Sequence, residues 1–137
     1  MKAKSAARKL IAMAQAGKLN DIVETLTPRF LHRGHANNES LKKIVRDMAT
    51  ESGAEAFVRQ TQAIMTLPDS WPLLASIQCS TLVLVGDGDE PTPPELAKEI
   101  AGGIAGAKLT IVPGCGHSST IEKPESVTAT LSEWLST

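Results

Sequence analysis

The sequence predicts an α/β fold in which a helical region is followed by a β-α-β-α unit with two parallel strands. Two short apolar runs carry that expectation. Thr81-Leu82-Val83-Leu84-Val85 leads into Gly86-Asp87-Gly88-Asp89-Glu90, and Leu109-Thr110-Ile111-Val112 leads into Pro113-Gly114-Cys115-Gly116-His117. Both are short, rich in β-branched residues and non-alternating, the pattern of strands buried on both faces of a parallel sheet. The third observation is the helical stretch between them, which makes the unit a β-α-β with a right-handed crossover. The ends of a parallel pair share one rim, and neighbouring strands lie about 4.8 Å apart. A carboxylate just past one strand can therefore reach an imidazole just past the next.

The front of the chain reads as helices. An Ala-rich stretch from Ser5 to Ala16 carries Leu10, Ile11 and Met13 and is closed by Gly17. Leu19, Ile22, Val23 and Leu26 then follow at helical spacing, and Pro28 is expected to stop that helix. Residues 32–40 are polar and turn-rich, a loop. Leu41, Ile44, Val45 and Met48 repeat the helical spacing, as do Ala54, Phe57, Val58, Ile64 and Met65 after a break at Gly53. Such stripes are ordinarily core faces rather than cofactor contacts. Pro68 and Asp69 open a short helix through Ala75 that leads into the first strand.

The strands are expected at about 81–86 and 108–113, with helices at 92–103 and 124–136. Thr92-Pro93-Pro94-Glu95 reads as a capping box, with Thr92 as N-cap and Glu95 reaching back. Leu96, Ala97, Ile100 and Ile104 would face the sheet. Val127, Leu131, Trp134 and Leu135 of the last helix would cover the final strand.

Composition narrows the function classes. A chain of 137 residues with 42% apolar content can form one domain and bury about two-thirds of its surface. A net charge of −1 gives no electrostatic reason to expect nucleic acid or an anionic membrane as a partner. No run approaches the roughly twenty apolar residues of a spanning helix. Lys2, Lys4, Arg8, Lys9 and Lys18 stand without an acid near the start. They read as a solvated helix face rather than a transit peptide.

The two cysteines make no disulfide framework. Cys79 precedes one strand and Cys115 follows its neighbour, so a parallel pair puts them at opposite ends, which suits a reducing cytoplasm. Cys115 reads as a small residue filling a tight turn rather than a thiol nucleophile. His32 and His35 are remote in sequence from His117 and from any clustered carboxylates, so neither a metal nor a cofactor is expected.

From Cys79 to Leu135 the chain resembles the C-terminal end of an α/β-hydrolase. In that family the last-but-one strand ends in Gly, two residues, Asp, then a Pro a few residues on. Here these are Gly86-Asp87-Gly88-Asp89 and Pro93. The last strand is followed by a Gly-x-Gly-His turn, here Gly114-Cys115-Gly116-His117. Residues from about 5 to 78 resemble the helical cap inserted between strands six and seven of lactonase- and esterase-like members. The resemblance implies a partial α/β-hydrolase fold, with 1–78 as cap and 79–137 as the C-terminal part of the core. It makes Asp89 the triad acid and His117 the base, acting on a small carboxylic ester or lactone. Asp87 is the rival acid, and position relative to Gly86 and Pro93 selects Asp89. The plainer alternatives are a turn aspartate and a capping or buried histidine.

One part of the pattern has no counterpart. None of the eleven serines lies in the Gly-x-Ser-x-Gly elbow that carries the family's nucleophile. The oxyanion donors would also come from an N-terminal half that this sequence does not include. Three readings follow. The chain supplies acid and base to a serine hydrolase, or it is a non-catalytic fragment working through its cap pocket or sheet edge, or its His and Asp activate water without a serine. A strand at 81–85 with one unpaired edge implies as partner either the missing N-terminal half or a second copy.

Overall fold

The computed structural model describes residues 2–136, with side chains from residue 4, so the early basic residue Lys2 contributes no described side chain. The elements run α1 (Lys2–Gln15), α2 (Leu19–Phe30), α3 (Glu39–Thr66), β1 (Leu82–Gly86), α4 (Pro94–Gly103), β2 (Lys108–Val112), α5 (Ser119–Glu122) and α6 (Pro124–Leu135). Short 3-10 turns occupy Arg33–His35 and Trp71–Ser76. Contacts divide the chain into two units, residues 1–27 with 42–68, and residues 28–41 with 69–137. The division drawn from the sequence at residue 78 differs, because 28–41 and 69–78 pack with the C-terminal unit.

The first unit is helical. Its buried residues include Ala14, Ile22, Val23 and Thr27, and the Thr27 hydroxyl donates to the Val23 carbonyl at 2.7 Å. Gly17, at φ 76°, ends α1 as expected. The break expected at Gly53 is present: it has φ 78° and ψ 167° inside α3, so the two halves of that element are separate helical runs meeting at a kink. Pro28 does not stop α2, which continues to Phe30. A proline in the last turn removes only its own amide from the helical ladder, and two more residues can still turn around it.

The second unit holds the sheet. β1 and β2 pair in parallel, in register from Leu82 opposite Lys108 to Gly86 opposite Val112. Helix α4 packs against both strands and α6 against β2. Val85, Ala97, Ile104, Val112, Cys115 and Val127 form the core beneath the strand ends. Two expectations need correcting. Leu109 and Ile111 are 36% and 37% exposed, because a two-stranded sheet leaves β2 covered on one face only in part. Leu131 and Leu135 are also exposed, so of the four α6 residues expected to cover β2 only Val127 is buried, with Trp134 half-buried and its indole donating to Ser80 Oγ at 2.9 Å. Among the described residues no helix is long and apolar enough to cross a membrane.

Candidate active site

The two polar elbows meet at the C-terminal rim of the strands. The Asp87 amide donates to the Val112 carbonyl at 3.0 Å and the Gly88 amide to the Cys115 carbonyl at 2.9 Å, which locks the first elbow onto the second. The approach is close enough to require glycine. A Cβ on Gly86 would lie 2.2 Å from the Cys115 carbonyl oxygen, and one on Gly116 would lie 2.4 Å from the His32 amide nitrogen.

Asp89 and His117 come together there. His117 Nδ1 lies 2.9 Å from Asp89 Oδ2 and 3.1 Å from Oδ1, so the ring donates through Nδ1 to a carboxylate that is 7% exposed. That pairing leaves Nε2 as the nitrogen that can take up a proton. The His117 side chain is 39% exposed, and its ring centroid sits 5.5 Å from that of Phe30. Asp87 faces elsewhere, accepting from the Cys115 amide at 3.2 Å and lying 3.9 Å from His32 Nε2. Amide hydrogen bonds from Gly114 and Cys115 hold its carboxyl below the usual carboxylate range.

Thr92 is not the helix cap expected of it. Helix α4 begins at Pro94, with Pro93 in the N-cap position and no side-chain cap, while Glu95 faces Lys98 at 3.9 Å. Thr92 instead grips Asp89. Its amide donates to Asp89 Oδ1 at 2.8 Å and its hydroxyl to Oδ2 at 2.9 Å. The hydroxyl oxygen also lies 3.2 Å from His117 Nδ1. Two consecutive prolines give α4 a preset start, which frees the threonine for Asp89. The signal was present as Asp-x-x-Thr, a spacing at which an aspartate takes hydrogen bonds from the backbone just ahead of it.

Glu122 gave no comparable sign. Its side chain has no exposed surface. It accepts from the Gly116 amide at 2.8 Å, the His32 amide at 2.8 Å and His35 Nδ1 at 2.7 Å. His32 and His35, remote in sequence from any clustered carboxylates, thus reach Asp87 and Glu122 through the fold. Among the described residues no group of three or more His, Cys, Asp or Glu side chains is arranged to hold a metal ion.

Cys115 is fully buried, and burial pushes its thiol up to about 11. A thiol so disfavoured as thiolate is no nucleophile near neutral pH. Cys79 is a free, exposed thiol. The serines nearest His117 in sequence lie at α5: Ser118 stands at its N-cap position and donates its amide to the Phe30 carbonyl at 2.9 Å, and Ser119 begins it. A nucleophile elbow is a strained strand-to-helix turn. Among the described residues no residue other than glycine has positive φ.

Beside the Asp89–His117 pair lies a mostly apolar cleft of about 360 Å³, lined by Trp71, Val83, Val85, Leu96 and Ile100 together with His117. It takes residues from β1 and α4 and none from β2. The cleft therefore opens on the side of β1 away from its partner strand.

A family model described as the alpha/beta hydrolase family matches residues 5–130. A proline iminopeptidase of Lactobacillus helveticus is 40% identical over 62 residues, which are 45% of this chain and 21% of that protein. Among solved structures, a thermophilic esterase from Thermogutta terrifontis superposes with a TM-score of 0.92 at 30% identity, covering 98% of this chain and 50% of that one. An enol-lactonase from Burkholderia xenovorans LB400 gives 0.85 at 23% identity, covering 94% and 49%. At that identity the likeness is one of fold. The chain spans about half the length of these solved structures, and its 62 matched residues cover about a fifth of the iminopeptidase.

Proposed function

The chain belongs to the alpha/beta hydrolase family, and from that premise we propose that it supplies the acid and base of a serine hydrolase acting on a small carboxylic ester or lactone. The observation that carries this reading is the Asp89–Nδ1 pairing, which leaves Nε2 of a half-open imidazole beside an apolar cleft. Asp89 holds the ring in one tautomer and stabilises the imidazolium once a proton is taken. His117 is the general base for a serine hydroxyl and then the general acid for the leaving alkoxide.

The nucleophile and the oxyanion-hole amides come from a complementary segment bearing a Gly-x-Ser-x-Gly elbow. That segment seats along the edge of β1, whose one strand partner among the described residues is β2. The cleft supports this placement, because it lies on the same side of β1 and reaches His117. The substrate class follows the esterase and the enol-lactonase named above.

A chimera provides the test, with this chain replacing the matching half of the Thermogutta terrifontis esterase. We expect hydrolysis of p-nitrophenyl esters or a simple lactone, and a fall of about 10⁴-fold or more with His117→Ala or Asp89→Asn. The lone chain should turn over neither substrate. A folded chimera without turnover, or one indifferent to His117→Ala, would sink the reading. Turnover by the lone chain that survives serine-directed inhibitors would favour direct activation of water.

A further inference from the structure

Glu122 is the most fully buried charged side chain around the rim and has no part in the acid–base pair itself. A buried carboxylate is costly unless donors surround it. Here three do, and each belongs to a segment that touches the base. Gly116, whose amide donates to Oε1, immediately precedes His117. The His32 amide and His35 Nδ1, which donate to Oε2, belong to the turn that follows Phe30. Phe30 in turn packs its ring near that of His117 and accepts from the Ser118 amide at 2.9 Å. The stretch Phe30–His35 is thus fastened on both sides of the base, at Gly116 through Glu122 and at Ser118 directly.

The geometry points to Glu122 as a positioning residue for His117, with Phe30–His35 as a strap that it clamps across the base turn. The peptide between Gly116 and His117 sets the direction in which the imidazole leaves the backbone. Its amide neighbour at Gly116 is held by a carboxylate that cannot turn away without stranding two further donors. No room is left for slippage, since the Gly116 α-carbon abuts the Leu31–His32 backbone so closely that a Cβ would lie 2.6 Å from the Leu31 carbonyl carbon. The kinetic side of this inference rests on the hydrolase reading, whereas its structural side does not.

The experiment therefore has two arms. In this chain, proton NMR follows the low-field resonance of the His117 Nδ1 proton, identified by its loss in His117→Gln. Glu122→Gln keeps the side-chain size but can satisfy the Gly116 amide and not the His32 amide. It should shift or broaden that resonance in a chain still folded by circular dichroism. In the esterase chimera the same substitution should lower kcat about ten- to a hundred-fold with KM within about two-fold, the signature of a misaimed base. An unchanged resonance and an unchanged kcat in a folded Glu122→Gln protein would overturn the inference. If Glu122→Gln does not fold, Glu122→Asp decides, because it keeps the charge but draws the carboxylate back from the Gly116 amide: a moved resonance supports the clamp and an unmoved one refutes it. A wild-type chimera without ester turnover would count against the hydrolase reading alone, and the resonance would still decide the role of Glu122.

Discussion

Thr92→Val separates a grip on Asp89 from an ordinary helix cap. Valine keeps the shape and the backbone amide, so the 2.8 Å bond to Asp89 Oδ1 survives and the 2.9 Å hydroxyl bond to Oδ2 is lost. Hydrogen bonds to charged groups are worth about 1.5–3 kcal/mol, and neutral ones about 1. Asp89 is 7% exposed while Thr92 lies at the surface, which places the loss at about 1–2 kcal/mol. Urea denaturation of the folded chain would read this as a lower midpoint at constant slope. The decisive comparison is a double-mutant cycle with Asp89→Asn. If the hydroxyl acts on the carboxylate, Thr92→Val should cost at most about half as much in the Asp89→Asn background. Equal losses in both backgrounds, or no loss in the wild type, would refute the assignment. In the chimera the hydroxyl also helps fix the His117 tautomer, so kcat should fall several-fold with little change in KM.

Three further outcomes follow from particular atoms. The Asp87 carboxyl is held below its ordinary value of 3.8 by the Gly114 and Cys115 amides. Its contribution to stability is therefore complete above that value and is lost as pH falls through the lowered folded value, so Asp87→Asn should flatten this acid limb in thermal melts recorded from pH 5 downward. Cys79 should react with a maleimide in the folded protein and Cys115 only after unfolding, since one thiol is exposed and the other is buried and raised to about 11; equal labelling rates at neutral pH would contradict that difference. Gly116→Ala should cost at least about 3 kcal/mol, because the new methyl would overlap the Leu31–His32 backbone and lie 2.8 Å from Glu122 Oε1; a variant that melts with the wild type would show that the base turn is looser than these distances require.

The sequence alone placed the strands, their parallel order, and the meeting of Asp89 and His117 at their ends. Each of these is written in a few neighbouring residues. Leu82–Val85 and Leu109–Val112 are short β-branched runs closed by glycine and proline, and Asp89 and His117 follow them at once, so a parallel pair carries both to one rim. The kink at Gly53 and the end of α1 at Gly17 were equally local, since both depend on a backbone region that glycine enters freely. Tertiary structure decided the rest. Thr92 carried two competing local signals, a capping box and Asp-x-x-Thr; the folded chain satisfies the second, and only the fold brings its hydroxyl 3.2 Å from His117 Nδ1, twenty-five positions later. Whether Glu122 points to water or into the core depends on His32 and His35, which stand 90 and 87 positions before it. A buried carboxylate has no periodicity or turn signature to reveal it, because only the donors gathered by the folded chain make its burial affordable.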